Sequence, residues 1–253
     1  MKIGLVLSGG GARGIAHLGV LKALTEMGVT VDRIAGTSAG AVAGALFANG
    51  YTPDEILKII ESSSFMKYLR PAWNRMGLLR IDTVADLCRT YLPHDRFESL
   101  HIPLHIAAVD LNEGDLDVFE SGELIRPMLA SCCLPGVFEP LVINKRQYVD
   151  GGVLSNLPVE LIETKVDFLI GSHCNPFGLT KPISSMRGVI ERSLILAVQS
   201  KTKERFTKCT ILIEPPELAN YGVSDVKRSR ELFRIGYQHT KTLSRQIEKN
   251  LNQ

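Results

Sequence analysis

The 253-residue sequence is poor in the features that mark specialised classes of protein. It carries no excess of either charge: 29 Lys and Arg face 27 Asp and Glu, a formal +2, which is too balanced for a chain whose main task is to grip nucleic acid. Its five cysteines (Cys88, Cys132, Cys133, Cys174 and Cys209) are an odd set without a C-x-x-C pair. That argues against a disulfide framework and a zinc ribbon, and suits a reducing cytoplasm. Long hydrophobic runs are missing too. Ile3 to Leu7 is too short for a signal-peptide core, and no later stretch approaches the roughly 18 apolar residues of a membrane span, so any membrane contact is expected to be peripheral. There is no repeat and no visible linker. With 45% hydrophobic and 22% charged residues the composition is that of a globular protein, and one domain over 1–253 is expected.

What the chain does have is alternation. Lys2 to Leu7 is a short aliphatic run ending at Ser8-Gly9-Gly10-Gly11, and Ile15 to Met27 follows with apolar residues at Leu18, Leu21 and Leu24 before Gly28. The pattern predicts strand, glycine loop and helix. It repeats with Val31 to Ala35, the turn Gly36-Thr37-Ser38-Ala39-Gly40, and a small-residue helix over Ala41 to Asn49 that stops at Gly50. Thr52-Pro53-Asp54-Glu55 is a capping box with proline in the first turn, predicting a helix to about Glu61. Strands are expected at Leu104 to Leu111, Asp117 to Glu120, Phe168 to Gly171 and Thr210 to Ile213, with a hairpin over Leu141 to Val149 turning near Asn144-Lys145. Helices are expected near Val189 to Gln199 and over Val226 to Leu251. Together these imply a three-layer α/β/α domain around a mainly parallel central sheet, with reactive groups at the carboxyl ends of strands.

Both glycine-rich turns stand at such an end. Gly36 to Gly40 is a G-x-S-x-G match between a strand and a helix of small residues, a context that favours Ser38 as a nucleophile over a capping serine. The helix behind it would aim N–H groups and a positive dipole end at an oxyanion. Gly9-Gly10-Gly11-Ala12-Arg13-Gly14 satisfies G-x-G-x-x-G, so dinucleotide binding is one reading. Against it, the acidic residue at the expected distance, Asp32, starts the second strand instead of ending it, and Ile15-Ala16 replaces the Lys-Ser/Thr of a phosphate loop. The other reading is an oxyanion hole built from Gly9, Gly10 and Gly11, with Arg13 adding positive charge; a valine at Gly10 should then block approach and cost activity more than stability. A base for Ser38 is less evident. His173 ends a strand and would complete a Ser-His-Asp triad; His239 reads as a solvated helix residue, His101 and His105 as structural, and His17 as packing beside the glycine loop. Asp150-Gly151-Gly152 places a carboxylate on a turn at a strand end, although Asp-Gly is also an ordinary turn pair.

Taken jointly, the glycine loop, the Ser38 turn, the block Ala130-Ser131-Cys132-Cys133-Leu134-Pro135-Gly136-Val137-Phe138-Glu139-Pro140 and Asp150-Gly151-Gly152 resemble, in order, the signatures of the patatin-like phospholipases. The resemblance covers about 2–175 and is that of a short bacterial member; 176–253, with its strand and helices, carries no matched signature. It implies a cofactor-free Ser38–Asp150 dyad, an oxyanion hole at the glycine loop, and esters of phospholipids or lysophospholipids as substrate. Cys132 and Cys133 stand where relatives often have small residues, a departure that leaves the dyad untouched. An aspartate near its ordinary pKa of about 3.9 is a poor base for a hydroxyl, so a partly desolvated site is expected. Phe65 to Arg80 combines aromatic and apolar residues, Trp73 among them, with Lys67, Arg70, Arg75 and Arg80 and no acid. It reads either as a lid packed over the site or as a contact for anionic lipid.

Overall fold

The computed structural model describes residues 1–63, 69–72, 76–176, 182–184 and 186–251. Its strands are β1 (Ile3–Leu7), β2 (Arg33–Gly36), β3 (Arg70–Pro71), β4 (Leu79–Arg80), β5 (Leu104–Asp110), β6 (Leu116–Phe119), β7 (Leu141–Ile143), β8 (Arg146–Asp150), β9 (Phe168–Ser172) and β10 (Ile211–Ile213). The helices are α1 (Ala16–Glu26), α2 (Ala39–Ala48), α3 (Pro53–Ser62), α4 (Ala85–Tyr91), α5 (Ile125–Ala130), α6 (Met186–Phe206), α7 (Ser229–Thr242) and α8 (Ser244–Leu251).

Among the described residues β10, β9, β1, β2 and β5 form a parallel sheet in that order, extended by the antiparallel strands β6, β8 and β7. β1, β5 and β9 are buried along their whole length, which is why they read as mostly apolar runs without a polar face. Period-two alternation divides them between two cores. Leu5, Leu7, Ile34, Ile106 and Ile170 face the layer of α1, α2 and α7. Val6, Ala35, Ala107 and Leu169 face Leu157, Val159, Leu161 and Ile162 in the short turns after β8. The chain is thus the expected three-layer arrangement, with antiparallel strands added on one side.

Several helix boundaries differ from those expected, and α6 (Met186–Phe206) outruns the expected Val189 to Gln199 at both ends. α2 begins at Ala39, two residues before the expected start, because Ser38 and not Gly40 is its first capping position. The expected helix over Val226 to Leu251 is a 3-10 turn (Val226–Arg228) followed by α7 and α8, broken at Leu243. The Thr52 capping box is present in full, with Glu55 N–H to Thr52 Oγ1 and Thr52 N–H to Glu55 Oε2. No helix among the described residues is long and apolar enough to cross a membrane.

Register along β5 decides what meets what. β2 pairs with Leu104 to Ile106, β8 with Ala108 to Asp110, and β6 with Ile106 to Val109. One strand edge holds one partner at each residue, so β6 takes one edge of β5 and β2 and β8 share the other. Their carboxyl ends approach head to head: Gly36 sits opposite Ile106 and Asp150 opposite Ala108, two residues or about 7 Å apart along β5.

Candidate functional site

Ser38 follows the end of β2 with φ 54° and ψ −123°, a backbone region that a non-glycine residue holds only where its surroundings impose it. The turn is tight because Gly40 lies against the end of β1; a Cβ there would come 2.2 Å from the Leu7 carbonyl oxygen. The Ser38 side chain lies beside the Asp150 carboxylate, close enough to lower its pKa. Asp150 is buried, at 6% exposure, and Gly152 N–H donates to its Oδ1 at 2.8 Å. Burial pushes its carboxyl up to about 6, against the opposite pull of the Ser38 side chain and the Gly152 N–H. The desolvated aspartate expected from the sequence is therefore what the fold supplies.

The glycine loop runs beside this pair; a Cβ on Gly9 would lie 3.2 Å from Ser38 Cβ and 2.7 Å from Asn156 Oδ1. Its donors are not equivalent. Gly9 N–H is taken by the Asn156 carbonyl at 3.1 Å, which removes it from the expected oxyanion set. The N–H groups of Gly10 and Gly11 have no acceptor among the described residues, nor does that of Ala39, the first residue of α2. Arg13 is a brace: Nε donates to the Tyr221 carbonyl at 2.7 Å and a terminal nitrogen to Asn175 Oδ1 at 3.2 Å, while Ala12 N–H bonds Val223 O. A Cβ on Gly10 would sit 2.3 Å from Cys174 Sγ, so a valine there disturbs the packed end of β9. The expectation that it would spare stability does not survive this contact.

The segment after α5 touches both members of the pair. Ser131 Oγ accepts the Ser38 N–H at 2.8 Å, and the Cys133 carbonyl accepts the Asp150 N–H at 3.0 Å. Between them the Cys132 thiol lies beside the Ser38 side chain; desolvation and then the Asp150 charge hold that thiol well above its ordinary pKa. The departure at Cys132 thus reaches Ser38 directly, contrary to the sequence-based expectation.

The histidines lie elsewhere. His173 is buried with Nδ1 at 2.7 Å from Glu214 Oε1 and its ring edge-on to Phe206, and no hydrogen bond joins it to Ser38 among the described residues. His239 borders a surface pocket with Glu217, Tyr221 and Arg228. His105 Nδ1 is 2.5 Å from Glu120, while His101 packs under the turn at Gly50, so the two form no common site. His17 is fully buried beneath the glycine loop, bonded to Ser172 Oγ and the Ser8 carbonyl, and burial lowers its pKa to about 4. Asp32 accepts the Ile3 N–H at 2.7 Å, at the opposite end of the sheet from the glycine loop, which removes the dinucleotide geometry.

Of the segment Phe65 to Arg80, residues 65–68 and 73–75, Trp73 among them, lie outside the described residues. The remainder rests on the block after Cys133: Leu78 and Leu79 N–H both reach the Val137 carbonyl, and Glu139 N–H the Leu79 carbonyl. Arg80 is not uncompensated, since it pairs with Asp82 at 2.6 Å and Glu139 at 3.1 Å. Met76 and Leu78 are exposed. Asn156, Ser131 and Cys132 are the site residues that sequence reasoning missed; their signal was their place within or just after two of the four matched blocks.

Comparison with known proteins bears on the family and the fold. The family model described as patatin-like phospholipase matches residues 5–162. The lysophospholipase NTE1 of Eremothecium gossypii is 26% identical over 98% of this chain and 18% of its own length. An NTE-family protein of Mycobacterium tuberculosis is 37% identical over 62% of this chain and 44% of its own, and a second is 32% identical over 76% and 35%. The chain therefore spans less than half of each of these relatives. Among solved structures, VipD from Legionella pneumophila superposes with a TM-score of 0.65 at 14% identity, covering 97% of this chain and 67% of VipD. Human GIVD cytosolic phospholipase A2 gives 0.52 at 12%, covering 99% and 59%. At these identities the two structures speak to the fold.

Proposed function

The chain belongs to the patatin-like phospholipase family, and from that premise we propose that it is a serine lipid acyl hydrolase that cleaves carboxylic esters of phospholipids or lysophospholipids. The observation that carries the reading is the Ser38 side chain, on a strained turn, set beside a buried carboxylate whose pKa is raised to about 6. Lysophospholipids are favoured within the class by the name of the NTE1 relative.

In this reading Ser38 Oγ attacks the ester carbonyl carbon as its proton passes to Asp150. The carbonyl oxygen becomes an oxyanion that the open N–H groups of Gly10, Gly11 and Ala39 can receive, the last with the dipole of α2 behind it. Collapse breaks the ester C–O bond, and Asp150 returns the proton to the departing alcohol. Water then attacks the acyl-serine with Asp150 again as base, giving the free acid and restoring Ser38. A carboxylate near 6 is ionised at neutral pH yet a better proton acceptor than one near 4, the compromise that general-base catalysis requires. Arg13 serves by holding the loop in shape, since its guanidinium is committed to Tyr221 and Asn175.

A fluorophosphonate probe followed by peptide mapping tests the reading. The expected result is a single adduct on Ser38, lost with all lysophospholipid hydrolysis in Ser38→Ala. An adduct on another serine, or turnover retained by Ser38→Ala, would overturn it.

A further inference from the structure

We infer that Ser131 is a positioning residue that holds the Ser38 turn in register with Asp150, an inference that rests on the dyad reading above. Its hydroxyl is completely buried and fully committed. It accepts the Ser38 N–H at 2.8 Å and donates to the Ala107 carbonyl at 2.6 Å, so it links the turn to the middle of β5. A hydroxyl is the small group able to accept one bond and donate the other; alanine does neither, and a thiol does both weakly.

Ala107 is no incidental anchor. It lies between Ile106, the partner of Gly36, and Ala108, the partner of Asp150, and so marks the gap in which the ends of β2 and β8 meet. Two residues farther along, the Cys133 carbonyl takes the Asp150 N–H at 3.0 Å. One three-residue stretch therefore grips the nucleophile's backbone at one end and the base's backbone at the other. Ser38 needs such a grip because φ 54° and ψ −123° is not a conformation a serine adopts unaided. A backbone N–H left without its acceptor in this buried turn would let the turn relax, and the Oγ would move from the carboxylate.

The test compares Ser131→Ala, Ser131→Cys and Ser131→Thr with Ser38→Ala. In a folded Ser131→Ala protein kcat for lysophospholipid should fall roughly 10- to 100-fold, the scale of a displacement near 1 Å, with KM changed less than about twofold. Labelling of Ser38 by the fluorophosphonate should slow in proportion. The acid limb of kcat/KM should move to higher pH, because the Ser38 side chain that lowers the Asp150 pKa moves away from it. Ser131→Thr, which keeps the hydroxyl, should restore most of kcat. Wild-type kcat, or a change in KM alone, would overturn the inference. If Ser131→Ala does not fold, Ser131→Cys fills the same space and should show the same loss and the same shifted limb; full activity there overturns it equally. The two readings fail separately: activity surviving in Ser38→Ala sinks the dyad, whereas an inactive Ser38→Ala beside a fully active Ser131→Ala sinks only the positioning role.

Discussion

At the scale of single residues, two buried titratable groups pull stability in opposite directions. Asp150 titrates near 6 in the fold and near 3.8 when unfolded, so between pH 6 and 4 the folded chain takes up a proton that the unfolded one does not. Stability from this group therefore rises as pH falls through that window. Above pH 6, keeping the ionised carboxylate buried costs about 3 kcal/mol, two pH units at roughly 1.4 kcal/mol each. His17 does the reverse. Burial lowers it from 6.5 to about 4, so the unfolded chain is protonated first and stability is lost as pH falls from 6.5 to 4. In the wild type the two slopes offset each other. Asp150→Asn removes one of them: the variant should melt higher than wild type above pH 6, lose stability more steeply on acidification, and hydrolyse no ester. Melting curves from pH 4 to 8 read the first two effects, and a variant less stable than wild type at pH 8 would contradict the desolvation cost. For the active enzyme, kcat/KM should climb through about pH 6 and level off above it.

Among the elements, the β7–β8 hairpin delivers Asp150, and its turn carries a conformational cost. Asn144 and Lys145 both have positive φ, 49° and 69°, the signature of a type I′ turn whose twist matches the flanking strands. Asparagine tolerates that region, whereas a lysine there is strained by about 1 kcal/mol. Lys145→Gly creates the favoured Asn-Gly pair at an exposed site and should raise stability by roughly 0.5–1 kcal/mol with unchanged turnover, read as a higher urea midpoint at constant slope. Turnover that changed with it would mean that strain in the turn is transmitted along β8 to Asp150. The hairpin and the capping box at Thr52 were legible in the sequence because each is fixed by a few adjacent residues. The length of α6 and the break at Leu243 were not, since helix ends are set by what the helix packs on.

For the molecule as a whole, the stretch without a recognised signature is part of the scaffold. α7 lies directly on α1: a Cβ on Gly19 would meet the Phe233 carbonyl oxygen at 2.0 Å, and one on Gly236 the Ala16 carbonyl oxygen at 2.0 Å. The Tyr221 and Val223 carbonyls brace Arg13 and Ala12, and β10 pairs with β9. A chain ending at residue 175 would expose the α1 face and strip the glycine loop of two of its supports. We expect it to lose cooperative unfolding and all fluorophosphonate labelling, checked by calorimetry and by the probe. A truncated chain that unfolds cooperatively and labels Ser38 would show that 176–253 is a separate unit.

The sequence by itself determined the layers and pointed to the pair proposed to react. Aliphatic runs, glycine turns and helix stops are local, and the four ordered blocks single out Ser38, Asp150 and the loop at Gly9 to Gly11. What the tertiary structure decided is everything that depends on register and burial. Only the shared edge of β5 brings the ends of β2 and β8 together, and only burial raises Asp150 to about 6. Packing commits Gly9 N–H to Asn156, Arg13 to Tyr221 and His173 to Glu214, leaving the Gly10 and Gly11 donors open. Ser131 and Cys132 were visible as members of a block, but the bond from Ser38 to Ser131 and the approach of Cys132 cross more than ninety residues of chain. A hydrogen bond between distant segments is fixed by the whole set of contacts that folds them together, and no short window of sequence contains it.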